Sequence, residues 1–257
     1  MIRVQDDRPG SHAAVTLARP GPLRVYAYVR AGTDTADLTG LRVLLIGDLL
    51  SRIAELSGLQ VLTTWAFADE PTRKAAMEGA TALGIIPPVL PDADLAQARL
   101  GGPGLVRIAD DGATGKDDRS GVLIGVAAAR LAQDASLGET AAGPLAGREP
   151  SAVRLALMAL PRHESAELTS ATLADAARTL DEWRRLVAGW AEFPSGAIPG
   201  LIAATVGAAF ENLDVIAVLG LLKDLAADET AAPGPRFETF VYADRVLGLD
   251  LPRGIGH

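Results

Sequence analysis

The chain has no cysteine, which excludes a disulfide framework and a thiolate metal site. Aromatic residues make up only 4% of its 257 residues, so Leu, Val, Ile and Ala must build the core. Lysine is scarce too: of 24 basic residues only Lys74, Lys116 and Lys223 are lysines, and 32 acids leave a net charge of −8. Nucleic acid is a poor default partner for such a chain, because phosphate neutralisation supplies most non-specific affinity and no basic run is present. tRNA binding is therefore not expected. No apolar run approaches the roughly 20 residues of a membrane span, so no membrane partner is expected. The first twelve residues carry acids and lack the apolar core of a signal peptide, so the expected location is cytoplasmic. What is present, 49% hydrophobic and 22% charged residues, suits a globular protein of one or two domains.

Residues 23–69 organise the rest. An apolar, strand-forming run (23–29) leads through a polar turn (31–40) into a helical pattern over 41–56. Gly58 closes the helix, and a second apolar run (59–68) ends at Asp69. Leu45, Leu49, Ile53 and Leu56 fall at i, i+4, i+8 and i+11, one face of a 3.6-residue period. Arg42, Ser51, Arg52 and Glu55 lie largely off that face, and Thr39 is the expected N-cap. Strand, turn, helix and strand in about 45 residues form one parallel βαβ unit. A ligand site in such a unit lies beyond the strand's C-terminal end, over the helix N-terminus, here between residues 30 and 40.

Before this unit, residues 1–21 read as a polar leader with a short edge strand at 14–17 and a surface His12. After it, Asp69 caps a helix from Glu70 to Leu83, with Pro71 in the first turn. A short helix follows at 92–100, then a β-hairpin over 105–126 whose polar loop spans 110–121. Gly112 to Asp117 is not a phosphate-binding P-loop: two residues instead of four separate its glycines, and Asp117 follows the lysine. Residues 135–150, with Gly and Pro but little periodicity, read as a linker between a domain at 1–134 and another at 151–257. Beyond it every element is expected to be helical: 151–160, a helix over 172–190, 200–210, 213–227 and 236–247, with 233–235 as a break. Leu173, Ala177, Leu180, Trp183, Leu186 and Trp190 form an amphipathic stripe. The expected fold is thus α/β plus all-α, a truncated Rossmann-like parallel sheet followed by an antiparallel helical bundle.

Tyr28-Val29-Arg30-Ala31-Gly32-Thr33, then Asp37-Leu38-Thr39-Gly40, resemble in order the Y-V-C-G-x-T and H-x-G-H segments of cysteinyl-tRNA synthetases and of their relative, the cysteine ligase of mycothiol synthesis. Residues 66–71 stand at the N-x-T-D segment. Residues 152–158, 172–188, 206–214 and 246–249 resemble later helices of the same family. The likeness is scattered but ordered over about two-thirds of the chain. It implies a class I synthetase-like catalytic domain with a cleft formed by Thr33, Asp37, Gly40 and Asp69. Lys116 and Arg119 stand at a degraded second signature loop, or on a solvated charged turn. His163 falls near the family's H-Y-R-S position, or on plain surface.

The departures bear on chemistry. Arg30 stands at the first zinc thiolate, and its fixed cation opposes a metal, so zinc is not expected. Asp37 and Gly40 replace both histidines of H-x-G-H. Losing one donor to developing charge costs about 2.7–4 kcal/mol, and here two are gone. Two aspartates in a pyrophosphate loop would repel its ligand. Only 46 residues separate Asp69 from Lys116, too few for the inserted domain and the second half-fold. The resemblance then implies a non-catalytic paralogue that binds a protein, a second copy of itself or a small ligand, with no cofactor. In that case the cleft is expected to be filled, with Arg30 paired to Asp37 or Asp69. The alternative is an ATP-dependent, adenylate-forming ligase with a rebuilt site, using ATP and Mg²⁺ in an open polar cleft.

Overall fold

A computed structural model describes residues 2–8, 14–17, 21–34, 36–88, 105–110, 121–135, 145 and 147–256. His12, the expected helix at 92–100, Lys116, Arg119 and much of the expected linker lie outside these residues. The centre of the fold is a four-stranded, all-parallel sheet in the order β4-β3-β5-β6. Its strands are β3 (Leu23–Val29), β4 (Val61–Phe67), β5 (Leu105–Asp110) and β6 (Val122–Val126). The expected Rossmann-like sheet with a helical C-terminal part is what the structure contains.

Helix α1 (Thr39–Leu56) joins β3 to β4, and β3 pairs with β4 from Leu23↔Val61 to Val29↔Phe67. Helix α2 (Glu70–Ala82) follows, opened by Asp69, whose carboxylate accepts from the Thr72 N–H at 2.8 Å. The expected hairpin over 105–126 is not formed. β5 and β6 run parallel, Val106 opposite Val122 and Asp110 opposite Val126. Two apolar runs joined by a polar loop do not specify direction; here both strands are drawn into a sheet already set parallel by β3 and β4.

Among the described residues two strand pairings lie outside the main sheet, and neither was fully legible. β1 (Ile2–Gln5) pairs antiparallel with β2 (Ala14–Leu17), so the leader contributes a strand beyond the expected one. β7 (Ala129–Leu131) pairs parallel with β8 (Ala166–Leu168), so the C-terminal half is not wholly helical. The helices there are α3 (Pro150–Met158), α4 (Ser170–Trp190), α5 (Gly200–Glu211), α6 (Val215–Ala227) and α7 (Pro233–Leu247). Residues 233–235 begin α7 rather than break the chain, because proline fits a helix's first turn, where its missing N–H has no intrahelical role. Of the α4 stripe, Leu180, Trp183 and Trp190 are buried, Leu173, Ala177 and Leu186 are half-buried against the same core, and both tryptophans pack edge-on against Phe240 of α7.

α1 lies in the middle, against β3 and β5 on one side and α7 on the other. This corrects the placement of Arg42, which is 1% exposed. Its Nη1 donates to the carbonyls of Ala127 and Glu164 at 3.1 and 2.8 Å, and its Nη2 to those of Leu160 and Pro161 at 3.2 and 2.6 Å. Arg154 of α3, fully buried, reaches back to Asp48 of α1 at 2.6 Å and to the carbonyls of Leu83 and Leu247. One hydrophobic cluster runs from Val25 and Leu45 through Leu155 to Phe240.

Candidate functional site

The chain between β3 and α1 forms the site. Thr39 is the first helical residue, not the cap, and the cap position, Leu38, supplies no side-chain bond. Asp37 takes over: its Oδ1 accepts from the Thr39 N–H at 2.8 Å, and its Oδ2 from the Thr33 N–H at 3.0 Å. The Thr39 hydroxyl is drawn away to β7, where it accepts from the Ala129 N–H at 3.1 Å. Burial raises the Asp37 pKa, but hydrogen bonds from Thr39 and Thr33 and the nearby Arg30 charge outweigh it, and the net shift is downward. Asp37 is thus an ionised acid turned into its own loop.

Gly40 has a steric reason. A Cβ there would lie 2.6 Å from Cγ1 of Val29, so the start of α1 approaches β3 too closely for any side chain without a shift. A donor at this position would require the strand–helix contact to open.

Two clefts flank the loop. One, of about 540 Å³, lies between the end of β3 and the start of α2, and Thr33, Asp37, Gly40 and Asp69 all line it. Its apolar wall is Val29, Leu41, Pro71, Ala75 and Ala76. The other, of about 510 Å³, lies toward β7 and β8, and Arg130, Ser165 and Glu167 line it. Arg30, Thr33, Asp34 and Asp37 border both. The fold thus brings together four of the seven candidate residues. His163 borders neither cleft; it sits on an exposed turn, with Nε2 3.9 Å from Glu164. Lys116 and Arg119 lie outside the described residues.

The expected partners of Arg30 are replaced. Its Nε donates to Asp110, the last residue of β5, and not to Asp37 or Asp69. The parallel direction of β5, which a hairpin reading hides, is what delivers Asp110 to the same sheet edge as Arg30. Asp34 completes the loop by accepting from the Ala36 N–H at 2.8 Å, and lies 3.7 Å from Arg130. The cleft is open, contrary to the filled site expected of a non-catalytic relative. Asp69, fully exposed, is held below the usual aspartate range by the Thr72 hydrogen bonds. Among the described residues no group of three or more His, Cys, Asp or Glu side chains could hold a metal ion. Nor, among them, is any helix long and apolar enough to cross a membrane.

No family model matches the chain, and no curated protein matches it.

Proposed function

We propose that the protein is a non-catalytic, small-ligand-binding relative of the cysteinyl-tRNA synthetase and mycothiol cysteine ligase family, acting through the cleft beyond β3. One observation carries the reading: the two H-x-G-H positions hold a carboxylate bound to its own loop and a glycine pressed on Val29, so neither histidine donor to a phosphate is present. The cleft around them leaves space for a ligand. A protein partner or a homodimer formed through the α4 stripe is less favoured, since Leu180, Trp183 and Trp190 are buried and the rest of the stripe is half-buried on the same core.

The open cleft by itself is what the second reading expects, an ATP-dependent ligase with new residues in old places. Calorimetry with ATP, with and without Mg²⁺, separates the two. The preferred reading expects no heat at millimolar nucleotide. It also expects ligand-observed NMR on a small-molecule library to yield binders that are lost in Ala75→Trp, which plugs the cleft from an exposed wall position. Micromolar, Mg²⁺-dependent ATP binding lost on Thr33→Ala or Lys116→Ala would install the ligase reading instead.

A further inference from the structure

The sheet order places β4 on one side of β3 and β5 on the other. In an open parallel sheet, ligands bind in the crevice beyond the carboxyl ends of the strands where the direction of growth reverses. The residues at those two ends are Arg30, immediately after β3, and Asp110 of β5. Their ion pair runs through Arg30 Nε and Asp110 Oδ2 and is incomplete on both sides. Asp110 is 3% exposed, and its Oδ1 is buried with no hydrogen-bond partner. Acceptors left in that state are rare in folded proteins and unfavourable. The Arg30 side chain is 39% exposed and borders both clefts, and among the described residues its Nη nitrogens have no acceptor.

Charge narrows the ligand class. The Arg30 cation is balanced by Asp110, and the walls add Asp34, Asp37 and Asp69, so the crevice opposes a carboxylate or phosphate. Those three acids already accept from the backbone N–H groups of Ala36, of Thr33 and Thr39, and of Thr72, so a cation has little free acceptor there. The geometry points to a neutral group with an acceptor beside a donor, a carboxamide. Its carbonyl accepts from Arg30 Nη and its N–H donates to Asp110 Oδ1. Oδ1 is buried and Asp110 lines neither cleft, so this pairing requires the partly exposed Arg30 to swing aside and admit the N–H. This inference rests on the cleft being a ligand site.

Three near-isosteric probes test it: benzamide offers a donor and an acceptor, benzoate acceptors only, benzamidine donors only. In calorimetric and ligand-observed NMR titrations, benzamide is expected to bind at least about tenfold more tightly than either, as befits a hydrogen bond to a charged group. Arg30→Gln and Asp110→Asn are each expected to weaken it about tenfold with an unchanged circular dichroism spectrum. Arg30→Gln, at a partly exposed position, keeps the test open if Asp110→Asn does not fold. Benzoate or benzamidine matching benzamide, no benzamide binding, or binding indifferent to Arg30→Gln would each overturn the inference. If none of the three binds while other molecules still do and are displaced by Ala75→Trp, only the carboxamide fails. If nothing binds, the cleft reading falls with it.

Discussion

Asp37 and Asp244 are two acids whose surroundings push them in opposite directions, and each leaves a distinct trace in stability against pH. Asp37 is ionised in the fold and accepts from Thr33 and Thr39; its pKa lies below the ordinary 3.8. Its contribution is therefore fully present above that ordinary value and is lost as pH falls through the lowered folded value. Asp37→Ala is expected to lose about 0.5–2 kcal/mol at neutral pH, the usual loss for a helix-start acceptor. Asp37→Asn should flatten the acid limb of a urea-midpoint series. Asp244 of α7 accepts from the N–H groups of Leu249 and Leu251 at 2.7 and 2.9 Å, but burial dominates and raises its pKa. The sign reverses: its stabilising neutral form is fully present below the ordinary value, and stability is lost as pH rises through the raised one. Asp244→Asn removes the buried charge but keeps an acceptor for only one of the two N–H groups, which bond to different carboxylate oxygens. In the same midpoint series it is expected to lose the decline above the ordinary value.

At the scale of elements, α1 is the spine, and its polar residues show what periodicity conceals. The Leu45–Leu49–Ile53 face was legible from its period, but the side of α1 that meets the sheet is the other one, where Gly47 faces Val25 and Ile108. Arg42, three residues before Leu45 and seven before Leu49, shares the leucine face, and its partners come from more than eighty residues away. Arg42 reads as solvent-facing until the turn at 160–164 arrives to place its carbonyls around the guanidinium. A charged side chain carries no mark in the sequence of a carbonyl cage built elsewhere. The parallel sheet likewise was readable where a helix separates β3 from β4. It was not readable at β5 and β6, where a short polar loop looks like a hairpin. With that direction went the position of Asp110, so the Arg30 pairing could not be read, although Thr33, Asp37, Gly40 and Asp69 could be placed from their spacing around one strand end. Arg42→Met removes charge-assisted hydrogen bonds to four carbonyls. It is expected to lose at least about 3 kcal/mol in chemical denaturation, and to expose the 160–164 turn first in hydrogen exchange.

At the scale of the molecule, the sheet half and the helical half share their interior. Val25, Leu45, Leu155, Trp183 and Phe240 belong to one apolar cluster, β7 pairs with β8 across residues 129–168, and two buried arginines cross in opposite directions. Arg154 is the stricter tie. Burial draws its pKa down, Asp48 opposes that, and Arg52 donates to the same Asp48 oxygen at 2.9 Å. Arg154→Met leaves the Leu83 and Leu247 carbonyls without this donor and Asp48 with Arg52 alone. It is expected to lose about 3–5 kcal/mol, the range for breaking a buried ion pair from one side. Such coupling makes independent unfolding of either half unfavourable, because each would expose apolar surface that only the other covers. Hydrogen exchange along a urea series is therefore expected to give β3 and β5 the same midpoint as α4 and α7. In Arg154→Met the two midpoints should fall together. Separate midpoints in the parent protein would show instead that the helical half is a domain in its own right, joined to the sheet by contacts too weak to couple their unfolding.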